Sequence, residues 1–205
     1  MKKTFKAIIF DMGGVLLRSV DPAQREAMAK RFGSTRKELE KYVFHGPTSV
    51  QSEVGLVSDI YHWQTVLKHF GQTRADPLEA YIEYFSGDAI DQQLLDYAES
   101  LKPEYKIGLL SNAWVDSRNK LGSLFHFIDV FDVAIFSAEA KVRKPDKEIF
   151  QFILDRLKVK PDESIFIDDF IENIEGAKKL GINAILFKNT QATIRQVNAL
   201  LGREK

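Results

Sequence analysis

Five short runs along the chain are apolar at successive positions instead of alternating, and each ends in polar or turn residues. They are KAIIFD (6–11), KIGLLS (106–111), VAIFS (133–137), SIFID (164–168) and NAILF (183–187). Strands that are apolar on both faces belong in the middle of a sheet covered on both sides, which predicts buried parallel strands. Between the later runs the apolar residues recur at three- and four-residue intervals, over 91–101, 116–124, 146–157 and 172–180. Gly181 stands where the last of these helices should stop. Alternating strand and helix predicts an α/β fold, a doubly wound parallel sheet.

Residues 18–90 break the alternation, and no strand is expected there. Four helices are predicted, near 22–32, 34–44, 58–70 and 76–85, with breaks at Gly33, Gly46-Pro47 and Gly71. Asp21-Pro22 and Asp76-Pro77 each pair a capping residue with proline at the first helical position. Residues 45–57 fall between the second and third of these helices and are assigned no element. The predicted organisation is a core made of 1–17 and 91–205, with 18–90 as a helical cap inserted straight after the first strand. Such an insertion stands over the carboxyl edge of the sheet, where ligands of these folds bind.

Composition narrows the chemistry. The 205 residues carry 29 Lys plus Arg against 29 Asp plus Glu, so no net field draws the chain to nucleic acid or to an anionic membrane surface. Cysteine is absent, which excludes disulfides, thiolate zinc sites and cysteine nucleophiles, and suits a reducing cytoplasm. Asp11 interrupts the apolar run near the start, so a secretory signal is not expected, and no run approaches the ~20 apolar residues of a membrane span. The tail GREK reads as a frayed helix end. A small neutral or anionic ligand is the expected partner, and between monomer and homodimer the sequence is neutral.

Four polar clusters fall at or near the predicted strand ends: Asp11-Met12-Gly13-Gly14, Ser111-Asn112, Arg143-Lys144-Pro145 and Asp168-Asp169. Carboxylates gathered in one small site raise each other's pKa or demand a cation. A hard divalent ion held by oxygens answers that demand, and Mg²⁺ typically takes one or two carboxylates together with waters and phosphate. Asp11, Asp168 and Asp169 would then be balanced by Mg²⁺ and Lys144, leaving a roughly neutral site for a phosphate dianion. Ser111 offers a hydroxyl and neighbouring N–H groups to phosphate oxygens. Asp11 could attack phosphorus to form an aspartyl phosphate that water later hydrolyses.

The segments IIFDMGGVLL, LLSNAW, RKPDKEIFQFIL and SIFIDDFIENIEGAKKLGI resemble the four ordered motifs of the haloacid dehalogenase (HAD) superfamily, and the helical insertion resembles its type 1 cap. The similarity is greatest to the branch of sugar-phosphate phosphatases and of the phosphatase domain of soluble epoxide hydrolases. The resemblance implies that Asp11 is nucleophile and metal ligand and that the Gly13 carbonyl is a second ligand. It implies that Ser111, Asn112 and Lys144 hold the phosphoryl group, that Asp169 binds the metal, and that Asp168 acts through a metal-bound water or as an outer acceptor. A small phosphorylated metabolite, with a sugar phosphate foremost, is the implied substrate.

Relatives of this kind usually carry an aspartate two residues after the nucleophile, as general acid and base. Here that position is Gly13, and general acid–base catalysis contributes ~10²- to 10⁴-fold, so turnover is expected to be slowed. His45, Glu53 and Trp114 are the candidate substitutes. Arg143 is expected at the surface. His62, His69 and His126 are expected in packing, and Tyr61, Trp63, Tyr81 and Phe85 in the core of the cap. Two other readings compete: a 2-haloacid dehalogenase, whose relatives generally lack the metal-binding acid of the fourth motif, and a low-turnover binder of a phosphorylated ligand or protein partner.

Overall fold

The computed structural model describes residues 4–203, so the last two residues of the GREK tail lie outside the described part. Strand β1 (Ala7–Phe10) leads through a tight turn to β2 (Leu17–Ser19). Five helices follow: α1 (Ala23–Arg31), α2 (Arg36–His45), α3 (Pro47–Glu53), α4 (Asp59–His69) and α5 (Pro77–Phe85). Strand β3 (Asp88–Ile90) then returns antiparallel to β2, so both ends of the helical lobe pass through one two-stranded ribbon. From there strand and helix alternate: α6 (Gln92–Leu101), β4 (Lys106–Ser111), α7 (Ser117–Phe125), β5 (Val133–Phe136), α8 (Ser137–Ala140) and α9 (Lys147–Leu157). The chain ends with β6 (Ser164–Asp168), α10 (Ile171–Lys179), β7 (Asn183–Leu186) and α11 (Thr190–Leu201).

The main sheet has the order β5-β4-β1-β6-β7 and every pairing in it is parallel. β1 is central and buried on both faces, which is why its four residues are all apolar. Ile8 and Phe10 enter the cluster under α6 and α7, while Ala7 and Ile9 enter the one under α9 and α10. The doubly wound sheet is as the patterning predicts. Among the described residues no helix is long and apolar enough to cross a membrane.

The insertion differs from expectation in two ways. It holds five helices rather than four, because α3 lies in the interval between the second and third expected helices. Its buried residues are Thr48, Ser49, Ser52 and Glu53, so α3 packs by polar contacts and carries no apolar period to detect. The β2–β3 ribbon also contradicts the expectation of no strand over 18–90, since strands of three residues are too short to show alternation. Capping follows the sequence at α5 but is shifted at α1, which starts at Ala23 with Pro22 at the cap position and Asp21 Oδ1 accepting from the Ala23 N–H at 2.9 Å. Asp76 Oδ1 accepts from the Leu78 and Glu79 N–H groups at 2.9 Å, and Thr35 with Glu38 completes a capping box on α2.

The lobe has its own core, in which Met28, Leu39, Val43, Trp63, Val66 and Tyr84 are buried together. Trp63 and Tyr81 are buried there as expected and Phe85 packs against them. Tyr61 is 52% exposed, because on α4 it points away from the buried His62-Trp63 and Val66-Leu67 face. Trp114, from the loop after β4, joins this cluster and donates its indole N–H to Ser49 Oγ at 3.2 Å. The core thus plants an aromatic side chain in the lobe.

Candidate active site

All four polar clusters meet at the carboxyl edge of the sheet, where β1, β4 and β6 end side by side. Asp11 follows β1 directly and its N–H donates to the Ile167 carbonyl on β6 at 2.8 Å, which sets its side chain beside those of the last strand residues. Lys144 is buried, with its Nζ 2.7 Å from Asp11 Oδ1 and 2.7 Å from Asp168 Oδ2. The ammonium therefore bridges two carboxylates that would otherwise repel.

Asp168 is saturated. Its Oδ1 accepts from the Phe170 N–H at 2.8 Å, and Asn173 Nδ2 reaches both of its oxygens at 3.0 Å. These bonds hold its carboxylate fixed. Asp169 is its opposite: Oδ1 is buried and has no hydrogen-bond partner. Ligand oxygens of Asp11, Asp168 and Asp169 lie within 4.8 Å of one another. With all three carboxylates ionised, one ammonium would leave two negative charges uncompensated, and an orphaned buried oxygen asks for a partner. A divalent cation bound by Asp11 and Asp169, with Asp168 behind, meets both conditions, and oxygen-only donors select a hard ion such as Mg²⁺.

The electrostatics agree. Burial pushes the Asp11 carboxyl up to about 8; Lys144 opposes that rise, and Asp168 and Asp169 add to it. Asp169 is raised to about 6, by burial first and by Asp168 second. Burial disfavours the Lys144 cation, yet the attraction of Asp11 and Asp168 outweighs it and raises its pKa overall. A cation beside Asp11 and Asp169 would favour their ionised forms.

The loop clusters complete the floor. Asn112 is committed on both sides, since its Oδ1 accepts from the Lys144 N–H at 2.8 Å and its Nδ2 donates to the Lys144 carbonyl at 3.0 Å. Its amide therefore clamps the Lys144 loop to the end of β4. Ser111 is buried, and its hydroxyl makes only a long 3.4 Å contact to the Asn112 carbonyl, so it can turn to a stronger acceptor. Gly13 is exposed, and a Cβ built on it would meet nothing within 4 Å.

Of the candidate proton donors, Trp114 has spent its N–H on Ser49. His45 is exposed, with its ring edge-on to Phe170 at 6.3 Å. Glu53 is buried, and its Oε2 lies 2.6 Å from Arg143 Nε. Arg143 is thus half-buried and paired with the lobe instead of solvated at the surface, because a buried carboxylate on α3 needs a counter-charge. His62 is buried between Thr48 Oγ1 and the Val43 carbonyl, and His69 stacks on Tyr42. Both are packing residues, as expected.

Two contributors escape sequence reasoning. Asn173 holds Asp168, and only its place five residues after that acid hints at it. Gly14 lies under Asp169 and leaves no room for a side chain.

Fold and site together define a doubly wound α/β protein whose lysine-bridged carboxylate centre sits at the sheet edge below a helical lobe. The model of haloacid dehalogenase-like hydrolases matches residues 5–181, and the chain belongs to that family of enzymes. It is 27% identical to the D-ribitol-5-phosphate phosphatase of Bacteroides thetaiotaomicron, over 96% of this chain and 98% of that one. It is 32% identical to mouse bifunctional epoxide hydrolase 2 over 57% of this chain, a match that spans only 22% of that longer protein. A HAD family enzyme of Bacteroides thetaiotaomicron, solved with magnesium and inorganic phosphate, superposes with a TM-score of 0.72 at 27% identity, covering 90% of this chain and 94% of that one.

Proposed function

We propose that this chain is a magnesium-dependent phosphatase that hydrolyses a small phosphomonoester, foremost a sugar or polyol phosphate, through an aspartyl phosphate on Asp11. The observation that carries the reading is the Lys144 ammonium 2.7 Å from Asp11, beside an acidic trio with one orphaned buried oxygen. The phosphatase name of a relative matched along nearly its whole length supports it.

In this reading Asp11, Asp169 and the Gly13 carbonyl hold Mg²⁺, with Asp168 behind them. When bound, the ion supplies positive charge to the phosphoryl oxygens and orients them. Asp11 attacks phosphorus with one carboxylate oxygen as the bond to the ester oxygen breaks, and the leaving alkoxide takes a proton from water. Water then attacks the phosphorus of the acyl phosphate, releasing inorganic phosphate and restoring the carboxylate. Lys144 offsets charge on the nucleophile and the phosphoryl group. Ser111 donates its hydroxyl to a phosphoryl oxygen, and Asn112 keeps Lys144 in place. With glycine at position 13 no side chain there protonates the alcohol, so leaving groups of low basicity, such as the anomeric oxygen of a sugar 1-phosphate, are favoured.

Residues 1–17 and 91–205 form the catalytic core in this proposal and 18–90 the cap. A cytoplasmic location accords with the absence of cysteine. The test is phosphate release from sugar 1- and 6-phosphates, alditol phosphates, nucleotides and acetyl phosphate in Mg²⁺, against Asp11→Asn. Release that is lost in Asp11→Asn and on chelation supports the reading. Halide release from 2-haloacids without any requirement for Mg²⁺ contradicts it.

A further inference from the structure

Hydrolysis of a phosphate ester moves protons at both steps. The leaving alkoxide must gain one, and the attacking water must lose one as its oxygen becomes part of phosphate. The groups around Asp11 are poorly provided for either task. Gly13 has no side chain, and a Cβ built there would meet nothing within 4 Å, so no side chain from another element reaches into its place. The rest of the centre is committed. Asp168 has both oxygens engaged, Oδ1 by the Phe170 N–H and Asn173 Nδ2, and Oδ2 by Asn173 Nδ2 and by Lys144 Nζ at 2.7 Å. The Lys144 ammonium is 2.7 Å from Asp11 as well, and a cation offers no lone pair to an incoming proton. Asn112 spends its amide on the Lys144 backbone, and Trp114 spends its N–H on Ser49. Asp169 keeps one buried oxygen without a partner, and in the reading above that carboxylate is a metal ligand.

A carboxylate needs no such help. An acyl phosphate is a mixed anhydride: when Asp11 attacks its phosphorus, the P–O bond to the acyl oxygen breaks and the electron pair leaves with a carboxylate that is stable as the anion. One carboxylate enters the anhydride and one leaves, so atoms and charge balance without a proton. The bond formed on Asp11 is of the same kind as the bond broken, so neither direction is strongly downhill. By microscopic reversibility a free carboxylate can attack the aspartyl phosphate from the position that the first one left.

We propose that the chain is also a phosphotransferase between carboxylates, in which Asp11 takes the phosphoryl group of an acyl phosphate and passes it to a second free carboxylate, forming a new acyl phosphate. The activity rests on the Asp11 nucleophile of the phosphatase reading and extends it to another reaction. In the return step a carboxylate oxygen of the acceptor bonds to phosphorus, the P–O bond to Asp11 breaks, and Asp11 regains its electron pair. Lys144 keeps its proton throughout and offsets charge on the nucleophile. Water competes for the same phosphoryl group but must shed a proton with no base placed to take it, so transfer to a carboxylate outruns hydrolysis.

The experiment incubates the full chain in Mg²⁺ with acetyl phosphate and excess radiolabelled acetate. Label entering acetyl phosphate, trapped afterwards as the hydroxamate, is followed beside release of inorganic phosphate. Exchange is expected to exceed phosphate release about tenfold or more and to be lost in Asp11→Asn. Propionate should yield propionyl phosphate in the same way. Propanol, which must lose a proton to accept the group, should be phosphorylated at least ~10²-fold more slowly than propionate, although its ester is the more stable product. Phosphate release that outruns exchange, or exchange that persists in Asp11→Asn, would overturn the transfer; hydrolysis of sugar phosphates that depends on Asp11 would leave the phosphatase reading intact. Propanol matching propionate would place a base beside the phosphoryl group, His45 being the remaining candidate, and would also overturn the transfer. Failure of every phosphorylated compound to react, acetyl phosphate included, would overturn the phosphatase reading, and the transfer with it.

Discussion

Gly14 and Asp169 are in direct contact: a Cβ on Gly14 would stand 2.2 Å from Asp169 Oδ2. Gly14 also has φ +79°, in the left-handed region. Gly14→Ala should therefore cost about 1–2 kcal/mol in backbone strain and push the Asp169 carboxylate out of place. Mg²⁺ affinity should fall about 10- to 100-fold, as is usual when the support of a metal ligand is lost. Thermal unfolding with and without Mg²⁺, together with the Mg²⁺ dependence of activity, reads both effects.

Gly13 is the reverse case. A side chain at this position meets nothing, and its backbone is not in the left-handed region. Gly13→Asp should fold normally and supply an acid and base beside the nucleophile. Turnover of alkyl phosphates should rise ~10²-fold or more, and acetyl phosphate should gain much less because its leaving group needs little protonation. Steady-state rates on the two substrates test this.

Lys144→Met removes the cation from between two buried carboxylates. Breaking a buried pair in this way costs about 3–5 kcal/mol, because Asp11 and Asp168 are left facing each other. Mg²⁺ should recover part of that loss, so the rise in melting temperature on adding Mg²⁺ should be larger in the variant than in the unaltered protein. Differential scanning calorimetry in chelator and in excess Mg²⁺ gives the comparison.

His62 makes the fold sensitive to acid. Its pKa is lowered from 6.5 to about 4, chiefly by burial. The unfolded chain therefore binds a proton that the folded chain refuses, and stability falls as the pH drops from about 6.5 to about 4, then levels off. The loss attributable to this group is about 3 kcal/mol. Urea unfolding across that range should show a flatter profile in His62→Gln, whose amide can still meet Thr48 and the Val43 carbonyl.

The strands of the main sheet were legible because each is apolar on both faces, and Ser111, Asp168 and Asp169 fall at their ends for that reason. Lys144 was legible only by its place in an ordered set of motifs. What escaped was held by polar contacts without a period. Helix α3 buries serines, a threonine and a glutamate, and the β2–β3 ribbon is too short to alternate. Arg143 reads as a surface cation until Glu53, ninety residues earlier, is brought beside it. The two hydrogen bonds from the Asn112 amide to the Lys144 backbone could not be read in advance, because they exist only once β4 and the Lys144 loop are adjacent.

The central claim is covalent chemistry at Asp11. With no base at position 13, breakdown of the acyl phosphate should be slow enough for it to accumulate. The direct measurement is acid quenching of the enzyme during turnover of a sugar phosphate radiolabelled in its phosphoryl group, followed by peptide mapping. The label should appear on the peptide containing Asp11, be released by hydroxylamine, depend on Mg²⁺ and vanish in Asp11→Asn. Phosphate release at the full rate with label on another residue, or undiminished in Asp11→Asn, would contradict the account.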